Sequence, residues 1–155
     1  MGTRLTYDLG RDSTDFPVLR GLRDIDPSIE AGLFADNYSG PWRISADLRK
    51  GLQSQGHNGI LGSLTVSFGG KLNQRSNLIL GASVTGANAA YNDRYFGVSG
   101  STAGLPNYVA KSGLRDVGTQ LNFVYLFSER VYATIDAKVN LFMGDPGKSP
   151  VVQED

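Results

Sequence analysis

"PWRISADLRK", residues 41–50, decides how this chain is read, because from Trp42 onward it alternates strictly. Trp42, Ile44, Ala46 and Leu48 fall on one side, and Arg43, Ser45, Asp47 and Arg49 on the other. A period of two means a β-strand with one apolar and one charged face. A soluble sheet buries the apolar row and wets the charges. A membrane barrel does the reverse, showing the apolar row to lipid and keeping the charges in its lumen. The pattern fixes the strand and leaves open which face is inside.

Outward from this stretch the same period recurs, giving about seven strands in all. Thr3 to Leu9 sets Leu5, Tyr7 and Leu9 against Arg4, Thr6 and Asp8. Ile29 to Asp36 sets Ile29, Ala31, Leu33 and Ala35 against Glu30, Gly32 and Asp36. Ile60 to Phe68 alternates Leu64, Val66 and Phe68 with Ser63, Thr65 and Ser67, and the next run sets Leu78, Leu80, Ala82 and Val84 against Gly81, Ser83 and Thr85. Val117 to Phe127 places Leu121, Phe123, Tyr125 and Phe127 together. The clearest run sets Val131, Ala133, Ile135, Ala137, Val139 and Leu141 against Thr134, Asp136, Lys138 and Asn140. Every proline lies outside these runs, at 17, 27, 41, 106, 146 and 150, as expected of strands that donate to a ladder. No helical periodicity is evident. Several runs reach the roughly 9–11 residues of a tilted membrane-crossing strand, beyond the 5–6 typical of globular sheets.

The connections alternate in length. Long segments (10–28 and 88–116) and a medium one (51–59) exchange with short turns at "NYSGP", "GGKLNQRS" and "SER". Outer-membrane barrels show this asymmetry, with short periplasmic turns and longer external loops. Tyr38, Trp42, Phe68, Phe127 and Tyr132 gather at the short-turn end, like an aromatic girdle at a membrane interface. Opposite the apolar rows stand Arg4, Asp8, Glu30, Asp36, Arg43, Asp47, Arg49, Asp136 and Lys138, whose nearly balanced signs suit cross-strand ion pairs in a lumen, structural or pore-lining. A soluble lipocalin-like barrel, with its apolar face turned inward around a ligand, has much the same alternation.

Composition narrows the function classes. At 155 residues one domain is expected, spanning 1–155. Lys plus Arg equal Asp plus Glu at 15 each, so no basic excess points to nucleic acid. The absence of cysteine removes disulfides, thiolate metal sites and thiol nucleophiles. The 20 glycines, 7 Tyr and 7 Phe suit a β protein with tight turns. No run approaches the roughly 20 apolar residues of a spanning helix, and Met1 leads straight into strand-like sequence without a signal peptide.

Four features could carry chemistry. His57, the single histidine, sits in a Gly/Gln/Asn loop and reads as solvated, with no metal or catalytic partner in view. Asp12, Asp15, Asp24 and Asp26, interleaved with Arg11, Arg20 and Arg23, lack the spacing of a calcium loop and read as internal ion pairs. "GGK" at 69–71 lacks phosphate-loop spacing, and Met1-Gly2 with Thr6 is a loose myristoylation match inside a strand. No nucleophile turn accompanies the histidine, so enzyme activity, cofactor and metal are not expected.

Several ordered segments carry a family likeness: "GRDSTDFPVLRGLRDID" (10–26), "EAGLFADNYSGPWRISADLRKGL" (30–52), "YFGVS" (95–99), "AGLPNY" (103–108), "GLRDVG" (113–118) and "GDPGKSPVVQED" (144–155). With these the chain resembles the MipA/OmpV family of Gram-negative outer-membrane proteins, the MltA-interacting proteins. The resemblance implies an antiparallel up-and-down β-barrel in the cell outer membrane, in contact with its lipid. It implies a scaffold for a lytic transglycosylase and a murein synthase in envelope maintenance, other members being porin-like channels or adhesins. It also implies a signal peptide and strands before residue 3 and closing strands after residue 155. The chain is thus expected to be an incomplete barrel, truncated at both ends.

Overall fold

The computed structural model describes residues 1–14, 19, 22–99 and 105–153. Seven strands form one antiparallel sheet in chain order: β1 (Gly2–Asp8), β2 (Ser28–Ser39), β3 (Trp42–Gly51), β4 (Ile60–Lys71), β5 (Ser76–Ala87), β6 (Gly113–Leu126) and β7 (Tyr132–Phe142). Each strand pairs with its sequence neighbour, the up-and-down order of a barrel, and among the described residues β1 and β7 remain unpaired edges. This is an all-β, incomplete barrel. β2 to β7 are 10 to 14 residues long, so the alternating runs extend further than the sequence pattern alone delimits.

The register sorts the side chains into two faces. Gly2, Phe34, Asp47, Ser63, Thr85, Asp116 and Phe142 form one row across all seven strands. One step along the pleat, Ala35, Ala46, Leu64, Val84, Val117 and Leu141 form a row on the other face. The curl of the sheet follows from contacts that skip a strand. The Gln120 amide of β6 donates to the Ser67 hydroxyl of β4 at 3.4 Å, over Gly81 of β5. Strands two apart are roughly 9–10 Å apart in a flat sheet, so such contacts require the polar face to be concave. Exposure agrees: Thr85 and Asp116 are 5% and 2% exposed, whereas Leu64 and Val84 on the opposite face are 45% and 38% exposed. The charged row of residues 42–50 is inside, and the apolar row is outside.

The buried apolar core lies at one end of the sheet, under the long loops. Leu61, Ala87, Tyr91, Phe96 and Ala110 form one cluster, and Leu19, Leu22, Val98 and Leu105 another. Contrary to the reading from periodicity, part of this cap is helical: α1 (Ala89–Phe96), α2 (Gly144–Lys148) and α3 (Pro150–Gln153). α1 is only two turns long, too short for a periodic signal, and is set by its cap, where the Asn88 side chain accepts from the Tyr91 N–H at 3.1 Å. The loops lock to one another. Arg94 donates to the Gly56 carbonyl at 2.7 Å, the Asn92 amide to Lys111 O at 2.8 Å, the Ser149 hydroxyl to Phe96 O at 2.6 Å, and the Tyr108 hydroxyl to Asp145 O at 2.8 Å. The opposite end carries tight turns, the first being Gly40-Pro41 with Gly40 at φ 55°.

Candidate functional site: the charged face and the histidine under the loops

The pleat puts Arg4, Glu30, Asp47 and Arg49 on the concave face of three adjacent strands, and there they form one chain of contacts. Arg49 donates from Nη1 to Glu30 Oε2 at 2.8 Å and from Nε to Asp47 Oδ1 at 3.1 Å. Arg4 approaches the same Asp47 oxygen at 3.8 Å over β2, where Gly32 leaves room. A second group lies nearer the short turns. Asp36 Oδ1 accepts from Arg43 at 2.9 Å and from the Ser45 hydroxyl at 2.5 Å. Asp136 and Lys138 stand apart on β7: Asp136 accepts from the Asn122 amide at 2.7 Å, and Lys138 lies opposite Gln120.

Asp8, at the end of β1, directs Oδ1 to the Gly10 N–H at 2.7 Å and Oδ2 toward His57 Nε2 at 3.8 Å. His57 is not solvated, as its loop composition suggested. Its side chain is wholly buried, with Nε2 3.1 Å from Glu30 Oε1. Its ring packs edge-on against Tyr91 at 5.0 Å and Tyr95 at 5.8 Å, and those two rings stack at 4.5 Å. The loop can fold in because Gly51 stands beneath it. A Cβ there would overlap the His57 carbonyl oxygen, Nδ1 and Cε1. Gly51→Ala is therefore expected to lower unfolding stability by about 1–3 kcal/mol, the usual cost of overpacking, in a detergent unfolding titration. Burial pushes both the Tyr91 and Tyr95 hydroxyls above the usual tyrosine range, which keeps the wall of this pocket uncharged.

Arg115 and Asp116 complete the polar end of the pocket and were not singled out from sequence. The ladder shifts register between Thr85 and Gly86, leaving Arg115 as an extra residue between Leu114 and Asp116. This bulge brings two consecutive side chains together. Arg115 Nε donates to Asp116 Oδ2 at 2.5 Å, and Nη1 reaches the Tyr91 hydroxyl at 3.1 Å.

The acidic loop is built differently from the expected ion pairs. Asp12 accepts from the Thr14 N–H at 2.8 Å and its hydroxyl at 2.7 Å, and Asp24 accepts from the Ser13 N–H at 2.8 Å. Those carboxylates hold the turn itself, and the Thr14 hydroxyl draws the Asp12 carboxyl below the usual range. Among the described residues no ion pair joins Asp12, Asp24 or Asp26 to Arg11 or Arg23; Asp15, Pro17 and Arg20 lie outside the described residues. "GGK" closes β4 at its hairpin.

The aromatics share an end but not a face. Trp42 and Phe68 sit opposite each other on the apolar face with ring centroids 4.8 Å apart, and Phe127 meets Tyr125 at 5.0 Å. Tyr38 faces Arg43 in the register and receives its guanidinium at 5.5 Å from the ring centre, so it belongs to the charged face. Tyr132 lies opposite Leu126 and shares its side of the pleat with Thr134 and Asp136.

Against known proteins, the family model described as MltA-interacting protein MipA matches residues 1–155. No curated protein and no solved structure matches the chain.

Proposed function

The chain belongs to the MltA-interacting protein MipA family, and on that premise we propose that it is an outer-membrane β-barrel that holds a lytic transglycosylase for murein turnover. The family description supports the partner, and a murein synthase is the second enzyme such a scaffold would gather. The observation that carries the membrane half is the inverted sheet. Leu33, Leu48, Leu64, Phe68, Leu80, Ile135, Val139 and Leu141 stand 45–63% exposed on the convex side, while Glu30 and Asp116 are 2% exposed on the concave side. An apolar surface of that extent on a soluble protein marks a place that something must cover, and lipid covers a barrel's outside. The lipocalin-like alternative needs the reverse orientation and is disfavoured on this ground.

Strands of 10 to 14 residues are long enough to cross hydrocarbon at a tilt. With the short turns on the periplasmic side, the helical cap faces outward and the turns at Gly40-Pro41, residues 72–75 and residues 128–130 face the murein enzymes. In lipid the free edges of β1 and β7 require strand partners, since each unsatisfied backbone group there costs several kcal/mol.

The test is capture. Protein folded in detergent and immobilised should retain a purified lytic transglycosylase, and retention should fall when residues 128–130 are replaced by a Gly-Ser linker. Loss of all retention together with steady conductance in planar bilayers would make the protein a channel instead. Monomeric behaviour in buffer without detergent would overturn the membrane reading.

A further inference from the structure

We propose that Asp8, Glu30 and His57 form a binding site for one divalent transition-metal cation of the zinc type, enclosed beneath the loops. Ligand atoms of these three residues all lie within 4.8 Å of one another. His57 Nε2 is 3.1 Å from Glu30 Oε1 and 3.8 Å from Asp8 Oδ2. Bonds of about 2.0–2.1 Å in a tetrahedron place neighbouring ligand atoms roughly 3.3–3.4 Å apart, a value those two separations bracket. The third separation, between the two carboxylates, is within 4.8 Å, and the ion draws Asp8 and Glu30 together as it binds.

The stronger argument is what each ligand does with its other atoms. Asp8 uses Oδ1 to accept the Gly10 N–H at 2.7 Å, and Glu30 uses Oε2 to accept the Arg49 guanidinium at 2.8 Å. Each carboxylate therefore has one oxygen fixed by an outer partner and turns the other toward Nε2. Outer partners of this kind orient metal ligands.

An independent observation points the same way. Both ring nitrogens of His57 are buried without a well-formed hydrogen bond, although Glu30 Oε1 lies 3.1 Å from Nε2. A buried imidazole that makes no hydrogen bond is costly to leave so. A cation on the Nε2 lone pair removes that cost and is shared with the nearby Glu30 oxygen. Nδ1 faces the bare Cα of Gly51, so Nε2 is the ligating atom. One imidazole and two carboxylates suit zinc, with a fourth position left for water. The position at the root of three loop segments suits a structural clasp, as β1 supplies Asp8, β2 Glu30 and the segment after β3 His57.

The test uses the whole protein folded in detergent, stripped with EDTA and titrated with Zn²⁺ by calorimetry and with Co²⁺ by visible absorption. One saturable Zn²⁺ per chain, a higher unfolding temperature on loading and Co²⁺ bands characteristic of tetrahedral coordination are expected. Asp8→Asn, which leaves the Glu30–Arg49 pair intact, should weaken Zn²⁺ binding at least tenfold while retaining heat-modifiable migration, and His57→Gln should abolish the Co²⁺ bands. Absence of saturable binding in the folded wild type overturns the proposal, as does binding that Asp8→Asn leaves unchanged. The result does not depend on any protein partner, so it stands or falls apart from the scaffold reading.

Discussion

Val66→Lys is expected to lower the unfolding stability of the protein in lipid by about 2–4 kcal/mol, the cost of a cation on the lipid face near the middle of a bilayer. Val66 lies near the centre of β4, on the apolar face with Ile44 and Ala82 beside it, and is 37% exposed. No acidic side chain stands next to it in the register. One residue away, Thr65→Lys should cost under about 1 kcal/mol, because Thr65 belongs to the concave row with Ser45 and Asp36. Two adjacent positions in one strand therefore separate by a large factor only if the pleat divides lipid from lumen. The measurement is a urea unfolding curve in vesicles, read by tryptophan fluorescence from Trp42. Equal effects at 65 and 66 would remove the membrane assignment. A larger effect at 65 would mean that the concave face is the protein's core and the apolar row a protein interface.

The strands were legible because their signal is local: alternation along Trp42 to Arg49 or Tyr132 to Leu141 needs no knowledge of anything distant. Parity also assigned Asp8, Glu30, Asp47 and Arg49 to one face, and three of these four residues meet Arg49 or Asp47 in the fold. The cap was not legible for the opposite reason. α1 is short, and its buried face, Tyr91, Asn92 and Phe96, acquires meaning only where it meets Leu61, Ala87 and Ala110. His57 was misread because the composition of residues 53–58 is that of a wet loop, whereas its partners lie on strand ends and on α1. A usable clue was present. Asp8 and Glu30 were placed on the same face at the loop end of adjoining strands, and the segment carrying His57 leaves from that same end. Gly51 next to it was a further sign of close approach. The bulge at Arg115 left no trace in the alternation beyond a break between Arg115 and Val117, and tertiary contact decides it.

Glu30→Ala should be strongly destabilising, by about 3 kcal/mol. The reasoning rests on what remains after the carboxylate is gone. Glu30 is 2% exposed and is shared between Arg49 at 2.8 Å and His57 at 3.1 Å. Removing one partner of a buried pair leaves an uncompensated charge, which costs about 3–5 kcal/mol. The lower end applies because Arg49 keeps Asp47 at 3.1 Å and its side chain is 22% exposed. By contrast Asp36→Ala, although it removes a carboxylate with three donors, should cost much less, since its partner Arg43 is 49% exposed and can turn to water. The decisive comparison is the double variant Glu30→Ala with Arg49→Ala. If the penalty comes from the stranded guanidinium, the pair of substitutions costs less than the sum of the singles by at least about 1 kcal/mol. Strict additivity would mean that Glu30 acts through His57 alone, making the imidazole side of the carboxylate the part that holds the loops to the sheet.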